Sequence, residues 1–512
     1  MESESEARGG CAAGGIPPLV TRAVWWVLLV AAVAWYGFFR VAAPLRHEPF
    51  SPSFNGNDFK HLYLGAWMLV RGQDPYDADA LRSLAWQRGF RSVNPYVYLP
   101  LTGLVMSPLT LLDPPDALRV WFVLNHLFLA AALALTFWSL GLRPTLQNIT
   151  VVVSLAALYY PLHRTLTAGQ LNCALLFLFA LVFALETRGW FVAAGAVAAF
   201  AFLFKLMPGI LLIYFACRWV WALSSREARA GKGYLAAAVS MVVFSAVLSA
   251  ASIMWVGWGR HVAFAPLLRD MSYGRSTWAE FGQHFYRDPT NQSFNSLFHH
   301  LLVMPTGKET TPWLVLGPAW ANALTLLAAA LCWLLVAWVE ARACRRRRAE
   351  SALGRTSNAM RPSRASATYS LFILLGLLTP SIYWDHYAVI ALWPLLACYA
   401  RLSPKARPAA LAVMILLALP LGSFLGRSLV LLALTLLAGF AAIVFLLVCR
   451  GRHGLFAALW GIAAAMLAAR FPFDLGPFRQ GAGLLAMSLT LWGTLLLFAL
   501  CLVSSRQTDE AR

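Results

Sequence analysis

Asp58, Lys60 and His61 fall within four residues of one another in NDFKHLYLGAWMLVRGQDPYD, Asn57 to Asp77, so a carboxylate, an ammonium and an imidazole share one helical turn. A carboxylate at that point has an ordinary use as a helix N-cap. Its chemical use is as a general base that takes the proton of an attacking hydroxyl. Lys205, in FLFKLMPG, comes just before Pro208 and ends an apolar run where a helix must break. Such a lysine either snorkels to the interface or offers a cation to a lipid phosphate, helped by backbone donors freed at the break. Gln170 and Asn172 in AGQLN, and Asn291, Gln292 and Asn295 in NQSFN, are amides at the ends of apolar runs. Amides there join helices by hydrogen bonds, and they also suit sugar hydroxyls because they donate and accept.

Two further groups read more plainly. Asp385 and His386 in YWDHY form an acid/base pair by type, but neighbours on a helix do not face each other, and an interfacial turn within an aromatic belt is the ordinary role. Asp77-Ala78-Asp79 has the Asp-x-Asp spacing that can hold a divalent cation, yet acids in a first helical turn are favoured by the dipole alone. No metal site is expected there. Glycine-rich nucleotide loops, GxSxG and HExxH are absent from the sequence.

The elements that position these groups follow from composition. The chain has 512 residues, 60% hydrophobic and 12% charged, with its apolar residues in repeated runs. One soluble core cannot absorb them, so the expected fold is an all-α polytopic membrane protein with about 12–14 transmembrane helices. The net charge of +19 lies mostly in short loops between apolar runs, which is positive-inside topology with contacts to membrane lipids; nucleic acid is not an expected partner. The eight cysteines imply no disulfide framework, and the acidic MESESEARGG start does not resemble a cleaved signal peptide.

Residues 1–22 are read as a cytoplasmic tail, 23–400 as the working module and 401–512 as supporting helices. Ala23 to Phe39 is the first span, which places 46–97 outside as a first outer loop. From Asp58, the positions Phe59, Leu62, Tyr63, Ala66, Trp67 and Val70 recur at helical spacing, predicting an amphipathic helix along the membrane surface that ends at Arg71-Gly72. A second short helix runs from Asp77 to about Arg88. Counting Ile149 to Leu162 as a span would put Arg226, Arg229 and Lys232 outside, so this run is read as re-entrant or surface-lying. A second long outer loop covers 257–312. The basic run ARACRRRRAE opens a disordered cytoplasmic linker over 341–367, and four last runs begin near Ala409, Ser428, Leu455 and Gly481. This topology brings the polar groups above to the outer face.

Taken in order, NDFKHLYLGAWMLVRGQDPYD, YLPLTGLVMSPLTLL, AGQLN, AFLFKLMPG, NQSFNSL and SIYWDHY resemble the polyprenol-phosphate-dependent glycosyltransferases of the GT-C fold, and within them glycosyltransferase family 87. The resemblance runs from about Asn57 to Ala400. It implies a GT-C-type bundle in a bacterial inner membrane, a polyprenyl-phosphate sugar donor, a glycolipid or lipid-linked glycan acceptor, no cofactor, and an active site facing outward. By motif position Asp58 becomes the catalytic base of an inverting transfer, with mannose the expected sugar. Lys205, helped by Lys60 or His61, would take the donor phosphate; Tyr76, Gln170, Asn172, Asn291, Gln292, Asn295 and His386 would contact substrate. YLPL at Tyr98 to Leu101 stands where the family more often has two prolines, and Met207 where a polar residue is usual.

Two readings of other classes share these features. A transporter or flippase of lipid-linked saccharides would place its polar groups at mid-membrane depth and often show repeats. An assembly subunit would tolerate loss of Asp58.

Overall fold

The computed structural model describes residues 18–224, 228–275, 277–278, 283–288, 290–304, 312–352 and 362–402, together with 413, 417, 485 and 488–510. Among these residues the chain is helical, apart from an antiparallel hairpin of Thr277–Trp278 with Gln283–His284 and two isolated bridges. In chain order the helices are α1 (Pro18–Trp35), continued by a π-helix (Tyr36–Ala42) into α2 (Ala43–Arg46), then α3 (Asn57–Val70) and α4 (Ala78–Gln87). Next come α5 (Pro100–Met106), α6 (Pro114–Ser139), α7 (Leu146–Leu158), α8 (Tyr160–Ala168), α9 (Asn172–Thr187) and α10 (Phe191–Phe204). They are followed by α11 (Ile210–Ser224), α12 (Ala228–Val256), α13 (Trp258–Asp270), α14 (Phe294–Leu302), α15 (Pro318–Ala352), α16 (Pro362–Leu378), α17 (Leu392–Arg401) and α18 (Leu489–Glu510).

Among the described residues five helices are long and apolar enough to cross a membrane: Trp25–Arg46, Pro114–Ser139, Met207–Ser224, Ala230–Val256 and Pro318–Arg346. The pair α7 and α8 adds a sixth if counted as one span, although it bends by 57° at Tyr159. That break lies in the run read as re-entrant or surface-lying. Several apolar helices are shorter: the 16 residues of α9 rise only about 24 Å, less than the roughly 30 Å of hydrocarbon. That helix, α9, is shielded by protein instead. α9 packs between α6 and α10, and α10 packs on α12, so that α9 is buried along nearly its whole length. The last four runs fall largely outside the described residues, and with them part of the expected count of 12–14.

Local chemistry sets the helix ends around the site. Gly56, left-handed at φ +52, occupies the N-cap of α3, where a Cβ would come within 2.7 Å of Leu118. Asp58 therefore lies inside the first turn and does not cap, which corrects the expectation that capping is its ordinary role. Asp77 does cap: its Oδ1 accepts from the backbone N–H groups of Asp79 and Ala80 at the start of α4. Asp79 pairs with Arg82 at 3.3 Å on the surface.

Three further features differ from the sequence-based picture. Helix α3 is enclosed by protein well beyond one apolar stripe, with His61, Gly65 and Ala66 buried as fully as Phe59 and Leu62. The run 257–312, expected as a second outer loop, contains α13, the hairpin and α14. The basic run 341–352 continues α15 as helix, and α16 already begins at Pro362, leaving only 353–361 of the expected linker outside the described residues.

Candidate active site

The site forms where the start of α3 meets α8, the α8–α9 junction, the break after α10 and the turn before α17. The Gly56 N–H donates to the Thr167 carbonyl at 2.9 Å and ties the head of α3 to α8. Gly169 ends α8 in the left-handed conformation, φ +71, and its backbone presses on Phe59, beside Asp58. Trp121 of α6 holds that glycine's carbonyl with its indole N–H at 2.9 Å.

Lys205 ends α10 in an extended conformation, and Pro208 sits in a 3-10 turn that leads into α11. Thr102 of α5 donates its hydroxyl to the Phe204 carbonyl at 2.8 Å, satisfying one of the acceptors released where the helix stops. The Lys205 ammonium donates to Asn172 Oδ1 at 3.1 Å and stands 3.8 Å from the ring centre of Tyr387. Asn172 Nδ2 donates in turn to the His386 carbonyl at 3.1 Å and to Thr165 Oγ1 at 3.3 Å. Thr165 Oγ1 also donates to the His386 carbonyl, at 3.1 Å. One buried amide thus links the cation to the turn that carries Asp385 and His386.

Asp58 faces this group. His61, three residues on, shares its side of α3 and stacks on Tyr98 with ring centres 5.6 Å apart. The Tyr98 hydroxyl donates to Gln170 Oε1 at 3.4 Å. The Asp58 carboxylate lies within electrostatic reach of Lys205, His61, His386, Tyr387, Tyr98 and Arg164. Among the described residues no hydrogen-bond donor or cation is in direct contact with it. Burial pulls the Lys205 ammonium down to about 7, with Asp58 acting in the opposite direction. Burial likewise lowers His61 to about 4, so its ring is neutral near pH 7.

Asp385 and His386 do meet, through a 3-10 turn: Asp385 Oδ1 is 3.4 Å from His386 Nδ1, and Asp385 Oδ2 is 3.5 Å from Arg164. Burial alone would raise the Asp385 carboxyl, but Arg164 and then His386 hold it below the usual range. Burial lowers His386, opposed by Asp385 and Asp58.

Other predicted residues stand behind this group. Asn291 Oδ1 accepts from the Tyr383 N–H at 2.9 Å, the Gln292 N–H donates to the Tyr383 carbonyl at 2.6 Å, and Asn295 Nδ2 donates to the Ser381 carbonyl at 3.3 Å. NQSFN therefore clamps the segment that leads into Asp385. Tyr76 donates its hydroxyl to the Tyr98 carbonyl at 2.6 Å. Lys60, two residues from Asp58 and so on the far side of α3, donates to Asn57 Oδ1 at 3.1 Å and lies over Phe50 and Phe90. Sequence reasoning missed Tyr98, Thr165, Tyr387 and Arg164. Of these only Arg164 carried a signal, as a charge next to an apolar run.

The family model of glycosyltransferase family 87 matches residues 96–362, just over half of the chain. The chain belongs to glycosyltransferase family 87. A comparison with curated proteins finds no match. Membership of family 87, with the apolar helices above, makes this a membrane glycosyltransferase. The family 87 match contains Tyr98, Gln170, Asn172, Lys205 and NQSFN. Asp58 and the Asp385-His386 turn lie outside it, and tertiary packing brings them to the same place.

Proposed function

We propose that this glycosyltransferase moves mannose from a polyprenyl-phosphate donor to a glycolipid or lipid-linked glycan acceptor, at the outer face of a bacterial inner membrane and with inversion. The observation that carries the reading is the pairing of opposite charges across one site: the Asp58 carboxylate, engaged by no donor among the described residues, and the Lys205 ammonium held by Asn172. The acceptor hydroxyl oxygen attacks the anomeric carbon and its proton passes to Asp58. The bond from that carbon to the phosphate oxygen breaks, and the polyprenyl phosphate leaves with the electron pair. Lys205 stabilises the charge that develops on this leaving group. Gln170 is one amide at the site through Tyr98, and the ring of His386 is positioned by Asp385.

The test is transfer by the purified protein, supplied with polyprenyl-phosphate mannose or polyprenyl-phosphate arabinose and membrane glycolipids as acceptors. Wild type is expected to form product with the mannose donor, and Asp58→Asn to lose roughly 10²–10⁴-fold in rate with an unchanged melting temperature. Equal product from both proteins overturns the assignment of the base.

A further inference from the structure

Arg40 is a guanidinium buried in the membrane part of the molecule that the reaction above does not use. It is only 5% exposed, and its Nε has no hydrogen-bond partner. Among the described residues no carboxylate pairs with it. A buried charge left in this state is costly, and ionisable groups inside membrane segments ordinarily serve a ligand or a partner. Its backbone points the same way. Arg40 sits in the π-helix Tyr36–Ala42 between α1 and α2, and π-helical turns are frequent at functional sites.

The groups around it are basic or neutral. Arg40 lies within electrostatic reach of Tyr36, Tyr160 and His163, and the Nδ1 of His163 has no hydrogen-bond partner. Arg164, on the next turn of α8 from Tyr160, is already paired with Asp385. What is missing is an anion. The route by which it can arrive is the bilayer, since Arg40 lies within the apolar span Trp25–Arg46. An anion reaching Arg40 from within the bilayer must bring hydrocarbon with it.

We propose that Arg40, with His163, binds the phosphate of a lipid in the leaflet that also supplies the catalytic site. Guanidinium is suited to this because its fork of N–H donors matches two phosphate oxygens. The phosphate belongs either to a phosphodiester headgroup, as on an anionic acceptor lipid, or to a polyprenyl monophosphate, the leaving group of the proposed transfer. The choice of these two sources rests on the function proposed above; the binding measurement does not, since it needs no turnover.

The test uses the full-length protein, delipidated in detergent, with phosphatidylglycerol, polyprenyl monophosphate and neutral diacylglycerol as probes, read by thermal shift and by native mass spectrometry. Wild type is expected to retain and be stabilised by at least one phosphate lipid and not by diacylglycerol. Arg40→Gln should bind that lipid at least tenfold more weakly, while melting at or above wild type when lipid-free, because it removes an unpaired buried charge. A loss confined to phosphatidylglycerol identifies the phosphodiester; one confined to the monophosphate identifies the donor's phosphate. Equal affinity of both proteins for both lipids overturns the proposal, as does a lowered lipid-free melting temperature with the lipid response intact. Should Arg40→Gln not be recovered, His163→Gln decides: a severalfold weaker lipid response supports the site, and an unchanged one overturns it.

Discussion

Lys205 and Asn172 meet at 3.1 Å although 33 residues separate them, and the same amide reaches the carbonyl of His386. The cation is therefore held by a neutral acceptor rather than neutralised by a carboxylate. Its charge remains available to an incoming anion, and its aim is set by α9.

The first prediction concerns pH. Burial brings the Lys205 ammonium down to about 7, so the proton is present below that pH and lost above it. With the ammonium required for the donor phosphate, kcat/KM falls as pH rises through about 7. The limb in kcat lies higher, because a bound phosphate favours the charged lysine. Lys205→Arg stays charged throughout and should remove the fall, whereas Lys205→Met should lose roughly 10²–10³-fold in kcat/KM below about pH 7, a deficit that shrinks as the wild-type lysine loses its proton. An unchanged alkaline limb in the methionine variant would assign it to a different group.

Asn172→Asp places a carboxylate against the same lysine. It should move the alkaline limb upward by about one unit and, by partly neutralising the cation, raise KM for the donor roughly tenfold. Asn172→Ala leaves the ammonium and the His386 carbonyl without this partner and should lower stability by about 1–3 kcal/mol. Rate profiles and melting temperatures separate the two effects; a parallel loss in both variants would argue that Asn172 only supports the fold.

Gly169→Ala tests the seam between α3 and α8. The residue is at φ +71, and a Cβ there would lie 2.6 Å from the Cβ of Phe59. Backbone strain and overpacking together should cost about 2–4 kcal/mol and displace the head of α3, lowering transfer as well as the melting temperature. Gly141→Ala serves as the control: its φ is +63, but nothing lies within 4 Å of the added carbon. It should cost about 1–2 kcal/mol and leave the rate unchanged.

Much of the scaffold was legible because hydropathy and helix period are local properties. The end of α3 at Arg71-Gly72, the short helix after Asp77 and the break at Lys205 all follow from residues within a few positions of each event. The bend at Tyr159 falls in the run Ile149 to Leu162, which the distribution of basic residues already sets apart from the regular spans. The functional candidates were legible by type: Asp58, Lys205, Gln170, Asn172 and His386 all belong to the assembled group.

Their roles were less so. Asp58 looks like an N-cap until Gly56 is seen to take that position, a choice set by close packing on Leu118. Lys60 and His61 are neighbours of equal promise in sequence, yet a helix sends them to different sides, and only the position of Tyr98 shows which side is the site. The amides of NQSFN suit sugar hydroxyls as well as backbone, and the segment around Tyr383 is what claims them.

By itself, then, the sequence determined a helical membrane chain and a short roster of polar groups, since apolar runs, prolines and glycines act on their own neighbourhood. Which of those groups face one another was decided by tertiary packing. Burial and partnership depend on residues hundreds of positions apart, as when Asn172 binds the carbonyl of His386, and no local pattern records them.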